Sequence, residues 1–128
     1  MGKIDVKSKI DTVQLFTKIQ RTASATIQGT EVADYLGSCF VIDIEAHTAD
    51  DMSVTFQESD DNSAWTNIAA ADLDGDQSLA IVAGLAGTIR KTGYKGNKRY
   101  IGAIITDGGT GDAVFGVSVV KGFPKDIT

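Results

Sequence analysis

The stretch that decides the fold spans residues 52–66 and reads MSVTFQESDDNSAWT. Its first half alternates apolar and polar side chains, with Met52, Val54 and Phe56 on one side, which is the period of a strand with one buried face. The SDDNS run that follows is rich in side chains that bond their own backbone in turns. The stretch therefore predicts a β-hairpin whose second strand runs from about Trp65 to Ile68.

Alternation of the same period recurs in residues 21–28, which precede a glycine. Residues 38–44 form a nearly continuous apolar run, typical of a central strand that is covered on both sides. Two further strands are predicted at residues 99–106 and 113–121, joined by a glycine-rich turn. The core face of the last strand is predicted to carry Phe115, Val117 and Val119.

Other parts of the chain depart from this pattern. The alanine-rich residues 67–73 and 77–86 suit a short helical turn, although we favour a loop followed by a strand at residues 79–82. We interpret residues 1–20 as an N-terminal arm in front of a single β domain, residues 21–128. The predicted fold class is all-β: a β-sandwich or jelly-roll-like barrel of about seven or eight mostly antiparallel strands, with an N-terminal arm.

Charge is distributed unevenly along the chain, which carries 12 basic and 17 acidic residues and a formal net charge of -5. No lysine or arginine occurs between Thr22 and Ile89, where most of the acidic residues lie. The simplest interpretation is two solvated faces of opposite sign, and the alternative is complementarity between subunits. A sequence pI of about 4.6 argues against nucleic acid as a partner.

Hydropathy and cysteine content indicate a cytoplasmic protein. No stretch approaches the roughly 20 apolar residues of a membrane span, and the first residues lack the apolar run of a signal peptide. We therefore expect no membrane partner. Cys39 is the one cysteine of the sequence, and its apolar neighbours favour a thiol buried in a core strand over a reactive one.

The sequence contains no set of residues typical of an active site. A hydrolase triad needs a base, and the single histidine, His47, stands in a polar, loop-like stretch. One histidine and one cysteine are too few for a usual zinc site. The glycines between Gly108 and Gly111 lack the lysine of a phosphate-binding loop, and a hairpin explains them. We expect no enzyme, no catalytic, cofactor-binding or metal-binding residues, and no cofactor.

One pattern resembles the start of a calcium loop: Asp72, Asp74 and Asp76 place three carboxylates at alternate positions. The pattern departs from an EF-hand because Gln77 stands in place of the glycine and Ala83 in place of the bidentate glutamate. An acidic solvated loop is the favoured interpretation, and specific calcium binding is the alternative.

Basic and aromatic side chains interleave between residues 90 and 100, a mixture that can grip single-stranded nucleic acid. A polar turn at a strand tip is the simpler interpretation, with its charges used in protein contacts. The side chains concerned are Arg90, Lys91, Tyr94, Lys95, Lys98, Arg99 and Tyr100.

Two motifs carry a resemblance to a known family: FQESDDNSAWT at residues 56–66 and GYKGNKRYI at residues 93–101. The sequence resembles small virion proteins of tailed phages and prophages, in which a QESDDGSxWT turn is followed by GYxGxKRYxR and a GxP tail. Here the tail is Gly122-Phe123-Pro124. The resemblance covers about residues 13–124.

The resemblance implies a β-sandwich on or near the phage head, foremost a capsid decoration (cement) protein on the virion's capsid surface, made in the cytoplasm of the host bacterium. The implied partner is the major capsid protein. Charge complementarity favours self-association as well, foremost as a homotrimer. Asn62 and Gly102 depart from the family's glycine and basic residue, and because the motifs are turn and packing features, no functional residue is carried over.

Two other functions stay open. A head-to-tail connector or tail component would act in the same particle. A carbohydrate-binding β-sandwich would need an exposed aromatic platform, for which Trp65, Tyr94 and Tyr100 are the candidates.

Overall fold

The computed structural model describes residues 10–124, which form ten β-strands in two antiparallel sheets. Two single-turn 3-10 helices occur in this range, at Ala70–Asp72 and Ala83–Leu85. The strands are β1 (Ile10–Arg21), β2 (Ala25–Glu31), β3 (Tyr35–Ala49), β4 (Met52–Ser59), β5 (Thr66–Asn67), β6 (Leu73–Asp74), β7 (Ser78–Ile81), β8 (Thr88–Tyr94), β9 (Tyr100–Asp107) and β10 (Asp112–Pro124).

Sheet A has the strand order β1-β10-β3-β8-β6. The long strand β10 pairs with β3 on one side and with β1 on the other, where Ile10 lies opposite Gly122 and Arg21 opposite Ala113. Two register shifts interrupt the β1 ladder, and bulges of this kind protect an edge strand from pairing with other chains.

Sheet B has the strand order β2-β9-β4, and the far edge of β4 is shared by two short strands. β7 pairs with the first half of β4, and β5 pairs with its last residues. The connection between β8 and β9 passes from sheet A to sheet B, so the two sheets are joined at one end by residues 95–99.

The core lies between the two sheets and is built from the alternating positions that the sequence predicts. Phe40, Phe56, Phe115, Val117 and Val119 are fully buried. The rings of Phe40 in sheet A and Phe56 in sheet B lie 4.4 Å apart between centroids, in the tilted arrangement that aromatic pairs favour. The all-β sandwich prediction is confirmed.

The structure differs from the prediction in strand number and in closure. Ten strands replace the predicted seven or eight, and the sheets do not close into a barrel. Strand β8 was not predicted, because TIRKTGY has one buried aliphatic or aromatic residue, Tyr94, and so lacks a clear apolar alternation. The first hairpin is shorter than predicted, since β5 has two residues and begins after Trp65. The strand predicted at residues 79–82 is β7, one residue earlier.

The apolar run at residues 38–44 is covered on one side, and the prediction of a strand buried on both sides is wrong. The run lies within β3, where Phe40, Ile42 and Ile44 face the core. Cys39 and Val41 alternate with them and stay half-buried on the outer face of sheet A. A continuous apolar run marks a central strand, but does not show what covers its second face.

The predicted arm at residues 1–20 differs from the structure over its second half. Residues 10–20 belong to β1 and pair with β10, so they form part of sheet A. Phe16 of this strand is buried in the core. Residues 1–9 lie outside the described residues.

Candidate functional site

The two sequence motifs meet at one end of the sandwich, which we call the motif end: the turn at residues 59–65 and the connection at residues 95–99. The hydroxyl of Tyr94, in sheet A, donates to Oε1 of Glu58, in sheet B, at 2.8 Å. The backbone N–H of Lys98 donates to the same hydroxyl at 3.0 Å. One buried side chain therefore joins both sheets and the connection between them.

The surroundings of Tyr94 keep its hydroxyl protonated. Burial raises the pKa of Tyr94 far above its ordinary value; the Lys98 N–H opposes this shift and the Glu58 carboxylate adds to it. Gly96 lies directly against the ring, since a Cβ at that position would come within 2.6 Å of Cζ of Tyr94. The second glycine of the GYKG sequence is thus required by close approach.

Ion pairs across the motif end join the acidic middle of the chain to its basic segments. Lys98 Nζ lies 2.8 Å from Oδ2 of Asp60, and Arg99 Nε lies 2.9 Å from Oε2 of Glu31. Hydrogen bonding to these carboxylates raises the pKa of Lys98 and of Arg99. Some of the acidic and basic residues that are separated in the sequence therefore neutralise each other within one chain. The uneven charge distribution is for that reason weaker support for contacts between subunits.

The turn between β4 and β5 is closed by two of its own side chains. The Asp61 carboxylate accepts the backbone N–H groups of Ser63 and Ala64, each at 2.9 Å. Ser59 Oγ accepts the N–H groups of Asp61 and Asn62. The hydrogen bonds from Ala64, Ser63 and Ser59 lower the pKa of Asp61. Asn62 has a φ of 61°, a conformation that explains the glycine of the resembling family at this position.

A shallow groove of about 350 Å³ opens at the motif end, between the β2–β3 loop and the connection at residues 95–99. Its lining combines apolar side chains with the charged pair Asp60 and Lys98. Leu36 at the groove has 70% of its surface exposed, the largest exposed fraction among the exposed large apolar side chains of residues 10–124. The lining holds no histidine, cysteine or serine–base pair.

Lys121 was not predicted as a structural residue, although it continues the inward-facing positions of Val117 and Val119. It is 7% exposed, and its Nζ donates to Thr30 Oγ1 at 3.3 Å and to the Glu31 carbonyl at 3.2 Å. Asp11 lies 3.5 Å from the same nitrogen. The ammonium therefore connects sheet B to both β10 and β1 at the motif end.

His47 does not lie in an exposed loop, and that prediction is wrong. It belongs to β3, where its side chain is 10% exposed and Nε2 lies 2.6 Å from Oδ1 of Asp50. It lies opposite Ala113 and faces inward. The polar residues around it in the sequence gave no indication of this position. No pair of nucleophile and base accompanies it among the hydrogen bonds of residues 10–124.

The three carboxylates of the calcium-like pattern belong to different local structures. Asp72 ends a 3-10 turn, Asp74 lies in β6 and Asp76 follows that strand. Within residues 10–124, no group of three or more metal-ligating side chains is close enough to hold an ion.

The remaining candidates are separated by the fold. Cys39 lies half-buried on the outer face of sheet A rather than in the core; burial raises the pKa of its thiol, and Lys91 opposes that shift. In the basic and aromatic segment, Arg90 is exposed on β8, while Tyr94 is buried between the sheets. Tyr100 begins β9, with the Arg99 guanidinium 5.4 Å from its ring centroid. The segment therefore presents no continuous surface of alternating rings and cations.

Two of the three residues proposed for an aromatic platform share one surface. Trp65 lies on the outer face of sheet B, where a Cβ on Gly29 would come within 2.8 Å of Cζ2 of the indole. Tyr100 faces the same side, as its register opposite Ser59 shows. Tyr94 belongs to the interior and does not contribute.

The fold and these surfaces define a two-sheet β-sandwich with surface grooves at the motif end. Within residues 10–124, no helix is long and apolar enough to cross a membrane. No protein-family model matches the sequence, and no curated protein matches it significantly.

Solved structures do resemble it. The crystal structure of SPBc2 prophage-derived protein YomS has a TM-score of 0.56 at 14% identity, covering 88% of this chain and 95% of that one. A structure from Bacillus endospore appendages, described as disulfide-linked pili, gives 0.44 at 10% identity, covering 98% and 99%. The CBM22-1-GH10 modules of Clostridium thermocellum xylanase 10B, complexed with xylohexaose, give 0.47 at 14% identity, covering 96% of this chain and 28% of that one. The first similarity shows a shared fold, and the two lower scores support no inference.

Proposed function

We propose that this protein is a non-enzymatic structural protein of a tailed-phage virion that decorates the capsid and stabilises the assembled shell of the major capsid protein. The observation that carries the proposal is the joining of the two resembling motifs: Glu58 and Tyr94, 36 positions apart, form one hydrogen-bonded unit. Residues that are separate in the sequence thus build a single end of the sandwich. The shared fold with a prophage-derived protein supports the same assignment.

The mechanism is binding to the assembled state. A protein that binds the shell, and not its dissociated subunits, stabilises the shell by mass action. We place the contact at the motif end, because the exposed Leu36 stands there beside a groove whose walls are held by the Tyr94 hydrogen bonds. An apolar anchor surrounded by polar groups is the usual arrangement of an interface centre.

The experiment is a binding titration with mature shells and, in parallel, with dissociated coat subunits. We expect saturable binding to shells at symmetry-related positions and much weaker binding to subunits. Leu36→Asp should weaken shell binding, whereas Val82→Asp, which alters an exposed apolar residue away from the groove, should not. Saturation at about a dozen copies or fewer per particle would indicate a connector or tail component instead. A folded protein that does not bind the cognate head would exclude the virion function.

Self-association, foremost as a homotrimer, is a second part of the proposal. Its support is a set of exposed acidic side chains, such as Asp74 and Asp76, together with the exposed Lys91 on the outer side of β8. Light scattering at low salt should show a mass of three chains. A mass of 13.5 kDa would restrict any trimer to the particle.

A further inference from the structure

The outer face of sheet B is uncharged along its central strands. On β4, Ser53, Thr55 and Gln57 alternate with the buried Met52, Val54 and Phe56. The register places these three polar residues opposite Thr106, Ile104 and Gly102 of β9. The six outward positions named here are therefore all uncharged; four of them carry a hydroxyl or amide group and a fifth is glycine, in contrast to the aliphatic outward positions Val114 and Val120 of β10 in sheet A.

The polar side chains of this face are held in place by their neighbours across the strands. Thr55 Oγ1 lies 3.2 Å from Ser78 Oγ, and Gln57 Nε2 donates to Asn67 Oδ1 at 2.9 Å. Each pair leaves hydrogen-bonding capacity unused, since a hydroxyl is both donor and acceptor and an amide has two donors. The face therefore offers a fixed row of neutral donors and acceptors.

A tryptophan closes one end of the row. The benzo edge of Trp65 lies over Gly29 of β2, although β4 and β9 stand between β2 and β5 in the strand order. The indole is half-buried, so part of it faces solvent. The glycine permits this position, because any side chain at residue 29 would collide with the ring. The indole of Trp65 thus provides a flat apolar surface next to the hydroxyl and amide groups of β4.

We propose that the outer face of sheet B binds a neutral glycan chain. A neutral sugar presents hydroxyl groups that exchange hydrogen bonds with side chains such as Gln57 and Thr55, and apolar ring faces that stack on an indole such as Trp65. A phosphate, a nucleic acid or an acidic polysaccharide would instead require basic side chains. β4 and β9 carry none on this face, and Arg99, which lies beside the ring of Tyr100, is paired with Glu31. The site lies on the outer face of sheet B, and its Trp65 is not among the residues that line the motif-end groove.

The test titrates the isolated full-length protein with neutral hexasaccharides, namely cello-, xylo-, manno- and chitohexaose, with heparin as the charged control. Calorimetry and tryptophan fluorescence should report binding of at least one neutral chain and none of heparin. Trp65→Ala should weaken binding about tenfold or more, because the stacking surface is lost. Gln57→Glu should weaken it as well, because it places a charge in the row while leaving the core untouched.

Gln14→Glu is the matched control, since it makes the same change in an exposed residue of sheet A. It should leave glycan binding unchanged. If no neutral chain binds the folded protein at millimolar concentration, or if Gln57→Glu and Gln14→Glu have equal effects, the proposal is overturned. Because these titrations contain no shells, their failure is separate from a failure of capsid decoration.

Discussion

The two ends of the sandwich satisfy their polar groups in different ways. At the motif end, side chains bond across the sheets, as Tyr94 does with Glu58 and Lys121 with Thr30. The opposite end, which we call the aspartate end, comprises the β3–β4 and β9–β10 loops. There, Asp107 Oδ1 accepts the N–H groups of Gly109 and Gly111 within its own loop.

This difference separates long-range from local stabilisation. The bonds of Tyr94 and Lys121 connect residues far apart in the chain, so they form only when both sheets are assembled, although the turn at residues 59–65 of the same end is closed locally by Asp61. At the aspartate end, a carboxylate closes a turn of a few residues, which any hairpin of that sequence could do alone. Ser24 Oγ also accepts the Asp107 N–H at 2.8 Å, and Asp51 bonds Thr110 across two loops. Because these contacts are exposed, the expected consequence is still a firm motif end and a more easily opened aspartate end.

The largest effect should come from the core that both ends share. Phe56→Ala removes a fully buried ring that packs on Phe40 and should lower the free energy of unfolding by about 3–5 kcal/mol. Denaturant unfolding followed by Trp65 fluorescence and by circular dichroism should shift equally. A loss below about 1 kcal/mol would mean that Phe56 does not face the core.

The next effect concerns the hydrogen bonds of the motif end. Tyr94→Phe keeps the ring and removes the hydroxyl, leaving the Glu58 carboxylate and the Lys98 N–H without their partner, and should cost about 1–3 kcal/mol. Tyr35→Phe is the control, since its hydroxyl makes no hydrogen bond within residues 10–124, and it should change stability by less than about 0.5 kcal/mol. Both tyrosines lie at the motif end, so equal effects of the two variants would show that the Tyr94 hydroxyl does not stabilise that end.

The sequence predicts the local features of the fold, and it does not predict the long-range contacts. The alternation of Met52, Val54 and Phe56 predicted a strand and its buried face, because a period of two is a local property. The partnership of Glu58 with Tyr94 depends on how two sheets are stacked, which no local pattern encodes. Lys121 was missed for the same reason: a lysine is expected outside, and only its place in the alternation after Val119 indicated burial.

The outer face of sheet B also depends on strand order, which the sequence pattern does not predict. Trp65 was a candidate for an aromatic platform on residue type alone, but its position over Gly29 depends on strand order. Tyr94 was grouped with it and proved to be interior. β8 escaped prediction because its exposed Ile89 and basic side chains do not alternate with buried ones.

A smaller effect is expected at the aspartate end. Asp107→Ala should cost about 1 kcal/mol, because the freed N–H of the exposed Gly109 can turn to water and only that of the buried Gly111 loses its acceptor. Hydrogen exchange should accelerate at these two glycines and stay unchanged at the Lys98 N–H. Faster exchange at Lys98 would show that the ends are coupled.

The smallest effect concerns pH. Since hydrogen bonds lower the pKa of Asp61 in the folded protein, its contribution to stability is present above the pKa of the unfolded chain and is lost as pH falls through the lowered value. Asp61→Asn should therefore lower stability at neutral pH and leave stability nearly unchanged below the lowered pKa, so that the acid side of the stability profile becomes flatter. An unaltered acid side would contradict the role of the Asp61 carboxylate in the turn.

The most direct test of the central claim is the melting temperature of mature shells at increasing concentrations of added protein. A protein that binds only the assembled state should raise the shell's melting temperature progressively with its free concentration, and Leu36→Asp should require more protein for the same rise. A melting temperature that stays constant while the folded wild-type protein is added in excess would contradict capsid decoration.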